Sequence, residues 1–485
     1  MRRLRYADFE LVGNRPAYLQ IKDYLATLIL KGLLQKGERL PATRELSLLF
    51  QVSRNTIVQA YQVLEVDNLI EIIKGQGAFV TGYRALEETR SNLDWENLIT
   101  EAARQAVSLD LEKHELKWER GMISFKSIAP DQTLFDVTEF KKAFLNRITL
   151  EGEKLLNYGY ARGYRPFLEY LEQYLQHKGV NTNGKEILIT NGFTEALNLI
   201  LRVITRPGDQ IICENPTHNT ALKIMKLFGL EICGVPMRPE GIDLAILEQT
   251  LVRSQRAVGY LIPSYHNPTG LVMTPEKRLA VLELFQKYQT PLIEDGFNEE
   301  LRYSGAHVAS LLALDGTGNQ VVYLGSFSKI LFPGLRIGWI VADHQLISYL
   351  ESIKRSLNIH TSFLDQAVLV EYLQSGAFEK YLKKACRVYK EKYETAVNLA
   401  RELIPARRIW GEGGLHLWIE LEELDARAVL AKCYQRGVVF MPGDLFFTDN
   451  SGQNTFRLGI SRVDAQTMRV GFQIIGEAIR ELLDL

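Results

Sequence analysis

The sequence predicts an α/β protein with two units, a large one built on a mostly parallel sheet and a smaller helical one before it. From about Ile123 onward, short apolar runs such as EILIT, QIICEN and VVYLGS alternate with segments of helical periodicity. Near-continuous apolar strands between helices are typical of a parallel sheet that is covered on both faces. The length of 485 residues also exceeds one ordinary domain, and charge is divided unevenly along it. Residues 1–84 carry 12 Lys and Arg against 8 Asp and Glu, a net charge of +4 within a total of −1.

The composition excludes several classes of protein. A hydrophobic content of 46% with 24% charged residues is typical of a globular protein. Apolar runs are interrupted well before the roughly 20 residues that a membrane helix needs, and no apolar signal segment follows the basic N-terminus, so we expect a cytoplasmic protein without a membrane partner. The four cysteines lie far apart and form no CxxC pair. We therefore expect reduced thiols and no metal site.

The small unit begins with three predicted helices. Apolar residues recur at helical spacing over residues 18–29, which predicts the first helix. Thr43, in PATRELSLLF, is a candidate N-cap of a short second helix, and Ser53, after the tight turn QVS, is a candidate N-cap of a third. The buried stripe of the third helix is predicted to contain Ile57, Val58, Tyr61 and Leu64.

Two short helices separated by a tight turn are a helix-turn-helix candidate, in which the second helix enters the major groove of DNA. The residues LIEII, KGQG and AFV that follow predict a strand, a glycine turn and a strand, a wing with Lys74 near its tip. An ordinary solvated helix pair with a hairpin is the alternative. Four side chains of the types that contact bases and phosphates face away from the buried stripe: Arg54, Asn55, Thr56 and Gln59.

The ordered motifs PAYLQI, GERLPATREL, VSRNTIVQAYQVL and GQGAFV closely resemble the GntR-type winged helix-turn-helix. The sequence departs from that pattern at Ala42-Thr43, where the family usually continues with Pro-Ser, although Thr43 keeps a hydroxyl. The resemblance implies a DNA-binding domain over residues 1–83 and a double-stranded operator as partner. It implies DNA contacts from Arg44, Arg54, Asn55, Thr56 and Gly77, to which the pattern of side chains adds Ser53, Gln59 and Lys74.

Residues 84–121 are predicted to form a helical linker. They contain no proline and no glycine before Gly121, and apolar residues from Trp95 to Leu109 recur at spacings of three and four. A helical link can transmit orientation between domains, whereas a Gly/Ser-rich tether cannot. A helix that packs on one domain as a simple spacer is the alternative.

In the large unit, residues 122–485, polar side chains follow the predicted strands, where ligands of open α/β sheets gather. A later part with LHLWIEL, VVFMPG and TFRLGIS predicts a smaller α+β lobe. ITNGFTEAL places Gly192, Phe193 and Thr194 where a helix opens, and the free backbone N–H groups there favour phosphate. Other strand ends supply an amide, a carboxylate, hydroxyls, an amine and arginines: Asn267, Asp295, Ser326, Ser328, Lys329, Arg336 and Arg457.

Together these groups match pyridoxal 5′-phosphate, which has an aldehyde, a ring nitrogen, a phenolic oxygen and a phosphate. Lys329 would form the Schiff base, Asp295 would keep the ring nitrogen protonated, and Asn267 would donate to the phenolic oxygen. Each residue alone has an ordinary explanation, such as a surface lysine or a helix cap, but their joint order favours the cofactor. The phosphate would be bound by Thr194, Ser326, Ser328 and Arg336.

The motifs HNPTG, ED and SFSKILFPGLRIG resemble those of the fold-type I pyridoxal-phosphate enzymes, specifically the class I and II aminotransferases, over residues 122–485. The resemblance implies a large subdomain with a mostly parallel sheet, a small α+β subdomain, and a site at a dimer interface, where Tyr158 would reach the phosphate bound by the partner subunit. The aromatic residue that stacks on the cofactor ring in this family is His218 here. The tyrosine that donates to the phenolic oxygen is replaced by Phe297, so we expect the imine to hold its proton more tightly.

Arg457 bears on the choice of ligand. In the aminotransferases the equivalent arginine pairs with the α-carboxylate of the substrate, while an isolated arginine could otherwise form a surface ion pair. His416, in GGLHLW, either lines the same cavity or is a satisfied core histidine, and we prefer the second interpretation.

A GntR-type domain fused to an aminotransferase-like body resembles the MocR family of bacterial transcriptional regulators. The resemblance implies a DNA-binding homodimer that binds pyridoxal phosphate and whose ligand state alters how the DNA-binding domains are presented. The effector would be an amine or amino acid that exchanges onto the cofactor, or pyridoxal phosphate itself. An active pyridoxal-phosphate-dependent aminotransferase of an amino acid, with an accessory DNA-binding module, is the alternative, and Phe297 favours the regulator. A regulator of this kind would be cytoplasmic and associated with the nucleoid when bound to DNA.

Overall fold

A computed structural model describes Tyr6 and residues 9–13, 15–81, 93–296, 299–303 and 307–483. Contacts divide the chain into two compact units, an N-terminal unit of residues 1–99 and a body of residues 100–485. The domain limits at residues 83 and 121 stay a prediction. Phe297, for which we predict an effect on the imine, lies outside the described residues.

The N-terminal unit packs three helices and a two-stranded wing around one apolar core. Both α1 (Ala17–Leu30) and α2 (Thr43–Leu49) pack against α3 (Arg54–Val66), and Ile21, Leu25, Leu46 and Ile57 are fully buried between them. In the wing, β1 (Ile70–Ile73) pairs antiparallel with β2 (Gly77–Val80), and Gly75 in the turn has a φ of +82°. The unit also contains the short helix α4 (Trp95–Leu98).

Two details of these helices differ from the prediction. The N-cap position of α2 is held by Ala42, so the expectation that Thr43 caps this helix is wrong. The backbone N–H of Ala42 instead donates to the Glu45 carboxylate at 3.2 Å. In α3, Val58 is only half-buried and Ala60 is buried, because Ala60 lies on the same helix face as Ile57.

The body is a large lobe and a small lobe, preceded by short linker helices. Its described elements are α5 (Glu101–Ser108), α6 (Leu111–His114), β3 (Ile123–Ser124), α7 (Val137–Leu155), α8 (Arg165–His177), β4 (Lys185–Thr190), α9 (Phe193–Ile204), β5 (Gln210–Asn215), α10 (Asn219–Leu227), β6 (Glu231–Arg238), β7 (Gly241–Ile242), α11 (Leu244–Arg253), β8 (Ala257–Leu261), α12 (Pro275–Lys287), β9 (Leu292–Asp295), α13 (Leu311–Asp315), β10 (Val321–Ser326), β11 (Gly338–Asp343), α14 (His344–Asn358), α15 (Phe363–Gln374), α16 (Ala377–Leu403), β12 (Arg408–Trp410), β13 (His416–Glu420), α17 (Ala426–Gln435), β14 (Val438–Val439), β15 (Met441–Pro442), β16 (Thr455–Gly459) and α18 (Ala465–Leu483).

The large lobe is built on one mixed sheet with the strand order β4-β11-β10-β9-β8-β5-β6-β7. β11 and β7 run opposite to the other strands, which are parallel, so the predicted mostly parallel sheet is confirmed. Successive strand residues enter different cores: Leu292 and Val321 pack on one face of the sheet, and Ile293 and Val322 pack on the other. Helices therefore cover both faces, and the loops at the strand ends are left to hold polar groups.

The small lobe contains a second sheet with the order β12-β13-β16-β15, packed against α16, α17 and α18. β3, just after the linker, pairs with β14 and ties the start of the body to this lobe. Of the predicted linker, residues 93–121 are described, and they include α4, α5 and α6. Within the described part of the chain, no helix has both the length and the apolarity to cross a membrane.

Candidate functional site

The connection from β10 to β11 carries the amine that the sequence singles out. β10 ends at Ser326, whose hydroxyl donates to the hydroxyl of Ser328 at 3.0 Å and accepts the Ser328 backbone N–H at 3.1 Å. Lys329 follows in this turn. Burial, reinforced by the positive charges of Arg457, Arg462 and Arg336, lowers the pKa of Lys329 to about 8. An amine that is partly neutral near neutral pH can act as a nucleophile toward a carbonyl.

The start of α9 forms an anion-binding corner together with Arg336. Gly192 has a φ of +78°, and a Cβ at this position would lie 2.9 Å from Nη2 of Arg336, so only glycine lets the arginine approach this closely. Nη2 of Arg336 also donates to the carbonyl oxygen of Asn191 at 2.8 Å. Phe193 and Thr194 open the first turn of α9, whose N–H groups face outward from the helix end. Backbone donors and a guanidinium thus meet at one helix N-terminus.

A buried carboxylate lies at the end of β9. Asp295 is 5% exposed and accepts a hydrogen bond from the hydroxyl of Tyr260 at 2.7 Å. Burial raises its pKa to about 7, and this hydrogen bond opposes the rise. Glu214, near the end of β5, which is separated from β9 by β8, is also buried, and burial raises its pKa to about 8. A positive ligand group beside Asp295 would favour the carboxylate form.

Asn267 and Arg457 are joined across the two lobes. Nη1 of Arg457 donates to Oδ1 of Asn267 at 2.8 Å, and Nη2 donates to the carbonyl oxygen of Lys126 at 3.1 Å. The guanidinium carbon lies 4.9 Å from the ring centroid of Phe446. Burial lowers the pKa of Arg457 to about 9. Nδ2 of Asn267 and Nε of Arg457 are buried and have no hydrogen-bond partner in the part of the chain that the structure describes, so both can donate to a ligand.

The two histidines and the tyrosine that the sequence singles out differ in their burial and contacts. His218 holds the N-cap position of α10, and its ring lies 5.1 Å from that of Phe193. Burial, with the charges of Lys329 and Arg457, lowers the pKa of His218 to about 3, so the ring is neutral. His416 is fully buried in β13, and burial lowers its pKa to about 3 as well. Tyr158 is 82% exposed and makes an edge contact with His360, apart from the other residues of this pocket.

In the N-terminal unit the predicted DNA contacts lie on α2, on the first turns of α3 and in the wing. Ser53 caps α3, as predicted, by accepting the Thr56 backbone N–H at 3.1 Å, and Arg54 Nε donates to the hydroxyl of Thr43 at 3.2 Å. Gly77 in the wing lies against Arg39, whose Nε would be 2.9 Å from an added Cβ. The exposed members of the predicted set are Arg44, Ser53, Arg54, Asn55, Gln59 and Lys74.

The sequence interpretation missed several residues of these sites. Tyr260 lies in the apolar run AVGYLIP, and Phe446 lies in DLFF, so both read as core residues. Lys126 enters through its backbone carbonyl, which no residue pattern reveals. Arg39 belongs to the quoted motif GERLP and could have been selected, because a basic residue before the helix-turn-helix is one of the side chains that contact phosphate.

Comparison with known proteins agrees with this division of the chain. The family model described as aminotransferase class I and II matches residues 123–475, and the model described as bacterial regulatory proteins, gntR family, matches residues 17–80. The uncharacterized HTH-type transcriptional regulator YdfD of Bacillus subtilis is 28% identical over 99% of both chains. The probable rhizopine catabolism regulatory protein MocR of Rhizobium meliloti is 26% identical over 96% of this chain and 94% of its own.

A solved structure extends the comparison to the fold of the body. LysN, an α-aminoadipate aminotransferase from Thermus thermophilus complexed with N-(5′-phosphopyridoxyl)-L-leucine, is 30% identical and superposes with a TM-score of 0.75. The match covers 81% of this chain and 100% of that one. The predicted resemblance to regulators of the MocR type, and the predicted aminotransferase fold of the body, are therefore confirmed.

Proposed function

The chain belongs to the class I and II aminotransferase family and carries a gntR-family regulatory domain at its N-terminus, and we propose that it is a transcriptional regulator that binds pyridoxal 5′-phosphate and responds to an amine or amino acid. The observation that carries the proposal is the position of Arg457. Its guanidinium is buried beside Lys329, is hydrogen-bonded to Asn267 and has no carboxylate partner among the described residues, while the same chain carries a DNA-binding domain.

The residues present fit the cofactor. Asn267 offers a buried N–H donor without a partner among the described residues, suited to a phenolic oxygen, and Asp295 offers a carboxylate suited to a ring nitrogen. When bound, the cofactor supplies an aldehyde that condenses with amines and a ring that withdraws electrons. Lys329 would hold it covalently, and His218 would lie against the ring. The phosphate would be held by the start of α9 and by hydroxyl and guanidinium donors: Gly192, Phe193, Thr194, Ser326, Ser328 and Arg336.

Arg457 would select ligands that carry a carboxylate. A guanidinium binds a carboxylate through two parallel hydrogen bonds, and burial strengthens them because water does not compete. An amino acid that displaces Lys329 would place its carboxylate near this arginine. Pyridoxal phosphate alone is the other candidate effector, since it needs no group at Arg457.

The operator would be bound by the exposed end of α3 together with the wing. Arg54, Asn55 and Gln59 are types that contact base edges, and backbone phosphates would be contacted by Arg44, Ser53, Thr56, Lys74 and the close approach at Gly77. Binding to DNA would locate the protein in the cytoplasm, on the nucleoid.

A homodimer is supported by apolar side chains on the surface of the body. Exposed apolar side chains can mark interaction surfaces, and several lie on α7 and in the turn after it. Tyr158 lies in this turn and is itself exposed, which supports its proposed reach toward the phosphate of the partner subunit. The exposed residues are Val137, Leu145, Leu150, Leu156, Tyr158 and Tyr160.

Footprinting on the DNA that flanks the gene tests the proposal, with the cofactor alone and with a panel of amino acids. We expect a footprint whose strength changes with one of these ligands, and Arg54→Ala should weaken it while leaving the absorbance of the bound cofactor unchanged. The matched control is Arg15→Ala, since Arg15 is an exposed arginine of the same unit that pairs with Asp23 at 2.8 Å. A footprint that responds to no ligand would refute the sensing role.

An active aminotransferase is the second candidate function, because the chain has Lys329, Asp295, Asn267 and Arg457, the groups proposed to bind the cofactor and a substrate carboxylate. Steady transfer of an amino group to a keto acid, at rates on the order of 1–1000 per second, would support it. Such turnover should be unaffected by Arg54→Ala, which separates the two functions.

A further inference from the structure

The end of the linker lies on the small lobe beside the ring that supports Arg457. We call residues 110–119 the clasp segment. Leu111, in this segment, packs against the buried cluster of Trp418, Met441 and Phe446. The same Phe446 ring lies 4.9 Å from the guanidinium carbon of Arg457. The Phe446 ring therefore contacts the guanidinium of Arg457 and is also part of the cluster against which Leu111 of the linker packs.

Lys126 makes a second connection between the same two places. Its carbonyl oxygen accepts the Arg457 Nη2 hydrogen bond at 3.1 Å, and its ammonium group donates to the carbonyl oxygen of Leu116, in the clasp segment, at 3.0 Å. A movement of Arg457 that weakens its bond to Lys126 would thus act on the residue that also holds the clasp segment.

Arg427, on α17, forms an ion pair with the clasp segment. It donates from Nη2 and Nη1 to the two carboxylate oxygens of Glu115 at 3.0 and 3.3 Å, and from Nε to Asp444 at 2.7 Å. Asp444 lies in the same short turn as Phe446, Gly443–Phe446, and the carbonyl oxygen of Phe446 accepts the backbone N–H of Thr217 at 2.8 Å. Thr217 directly precedes His218. The turn is therefore tied to the clasp segment on one side and to the residues around the pocket on the other.

We propose that the clasp segment is a ligand-sensitive coupling device, and that its docking on the Gly443–Phe446 turn depends on whether a carboxylate occupies Arg457. The inference rests on the proposed function of this pocket. A carboxylate at Arg457 would compete with Lys126 and Asn267 for the guanidinium donors and would neutralise the charge above Phe446. Lys126 and the Phe446 ring would then shift. The clasp segment would follow them, because the carbonyl oxygen of Leu116 accepts a hydrogen bond from Lys126 and Leu111 packs against the cluster that contains Phe446. The linker leads from here to the DNA-binding unit in the sequence.

Thermodynamic reciprocity makes this proposal measurable without knowing the natural ligand. If a carboxylate changes the docking of the clasp segment, then loosening the clasp segment must change the affinity for the carboxylate by the same factor. Two probes separate the carboxylate from the rest of the cofactor. Pyridoxamine 5′-phosphate lacks it, and N-(5′-phosphopyridoxyl)-L-leucine carries it on the same ring and phosphate. The ratio of their dissociation constants reports the contribution of the amino acid part that bears the carboxylate.

The experiment compares the full chain with the double variant Leu111→Ala, Arg427→Gln. The matched control is Arg469→Gln, which removes a similar two-bond pair with Glu402 (2.8 and 3.2 Å) on another surface of the body. In the wild-type chain, hydrogen exchange of residues 100–119 should differ between the two probes. In the double variant that difference should be lost, and the ratio of dissociation constants should change by roughly 5-fold or more, the lower end of measured couplings.

The proposal is overturned if the double variant keeps the wild-type ratio, whether or not both affinities fall together, or if the linker exchanges equally with both probes in the wild type. Failure of the proposed function gives a different result. A chain that does not use the cofactor would bind neither probe, and an aminotransferase without a regulatory role would bind both but give an operator footprint that neither probe changes. Arg469→Gln should match the wild type in both measurements, and a change there as large as in the double variant would also overturn the coupling.

Discussion

The N-terminal unit and the body place their functional groups in opposite surroundings. Arg54, Asn55 and Gln59 lie exposed on α3, whereas Asp295 and Arg457 are each 5% exposed in the body. Exposed charges act through water and are weakened by salt, while buried polar groups bear a desolvation cost and interact strongly with the few partners they have. Substitutions in the pocket should therefore have large effects on one ligand, and substitutions on α3 should have graded effects on DNA binding that depend on salt.

Replacing Lys329 by alanine should have the largest effect. The variant lacks the amine that would link the cofactor covalently, so the absorbance of the linked cofactor and the mass added after borohydride reduction should both disappear. Lys287→Ala is the matched control, because Lys287 is an exposed lysine that pairs with Glu248 at 2.7 Å. DNA binding without ligand should persist in Lys329→Ala. If regulation in cells is unaffected by this substitution, the cofactor does not carry the signal.

Replacing Arg457 by alanine should have the next largest effect, and only on ligands with a carboxylate. A charge-assisted hydrogen bond contributes about 1.5–3 kcal/mol, which corresponds to roughly 10- to 150-fold in affinity. Titration with N-(5′-phosphopyridoxyl)-L-leucine should show this loss, and pyridoxamine 5′-phosphate should show little change. Equal losses for both would mean that Arg457 supports the pocket without contacting a carboxylate.

The same contrast explains which features could be predicted from the sequence. The strand runs QIICEN and VVYLGS, and the helix cap at Ser53, depend on neighbouring residues, so periodicity and composition identify them. Asp295 and Lys329 stand out because they follow predicted strands, where a parallel sheet gathers its ligands. Their burial, and with it the direction of their pKa shifts, was not predictable, because burial depends on the packing of segments that lie far apart in the sequence.

Contacts between distant segments account for the rest. Arg457 meets Asn267 and Lys126 across separations of 190 and 331 residues, and no local pattern encodes such a meeting. Tyr260 and Phe446 are aromatic residues in apolar runs, where packing alone is a sufficient explanation. The predicted Thr43 cap is wrong because a hydroxyl one position inside the helix satisfies the local pattern as well as one at the cap.

A pH titration of stability tests whether Asp295 is as strongly desolvated as its position indicates. Its pKa is raised to about 7, above the value of about 3.9 for an unfolded aspartate. Without cofactor, the folded state therefore keeps the proton of the Asp295 carboxyl to a higher pH than the unfolded state does. The stabilisation contributed by the protonated carboxyl is fully present below about pH 4 and is lost as the pH rises to about 7. Urea unfolding should show that stability falls between pH 5 and 8, and that this fall is about 2–3 kcal/mol smaller in Asp295→Asn than in the wild type.

Asp243 provides a control, because its pKa is shifted in the opposite direction to that of Asp295. Hydrogen bonds from the backbone N–H of Ile246 and the side chain of Arg238 lower its pKa at the start of α11. Its contribution to stability is therefore present above the unfolded pKa and lost as the pH falls. Asp243→Asn should flatten the acid side of the stability curve only, and the assignment for Asp295 is wrong if both variants alter the same side.

Substitutions of Ser53 should have the smallest effect, and they distinguish its role as a helix cap from a role in DNA binding. Its hydroxyl accepts the Thr56 backbone N–H at 3.1 Å and lies 2.8 Å from the Thr56 hydroxyl. Ser53→Ala removes this cap and should lower the stability of the N-terminal unit by about 1 kcal/mol, read from hydrogen exchange of α3 in the full chain. Ser53→Asp restores a capping acceptor but places a negative charge at the proposed DNA surface. It should recover the exchange protection of α3 and bind DNA more weakly than Ser53→Ala, because the carboxylate repels phosphates. If Ser53→Asp instead recovers both properties, Ser53 is a cap that does not face DNA, and the binding surface of α3 begins at Arg54.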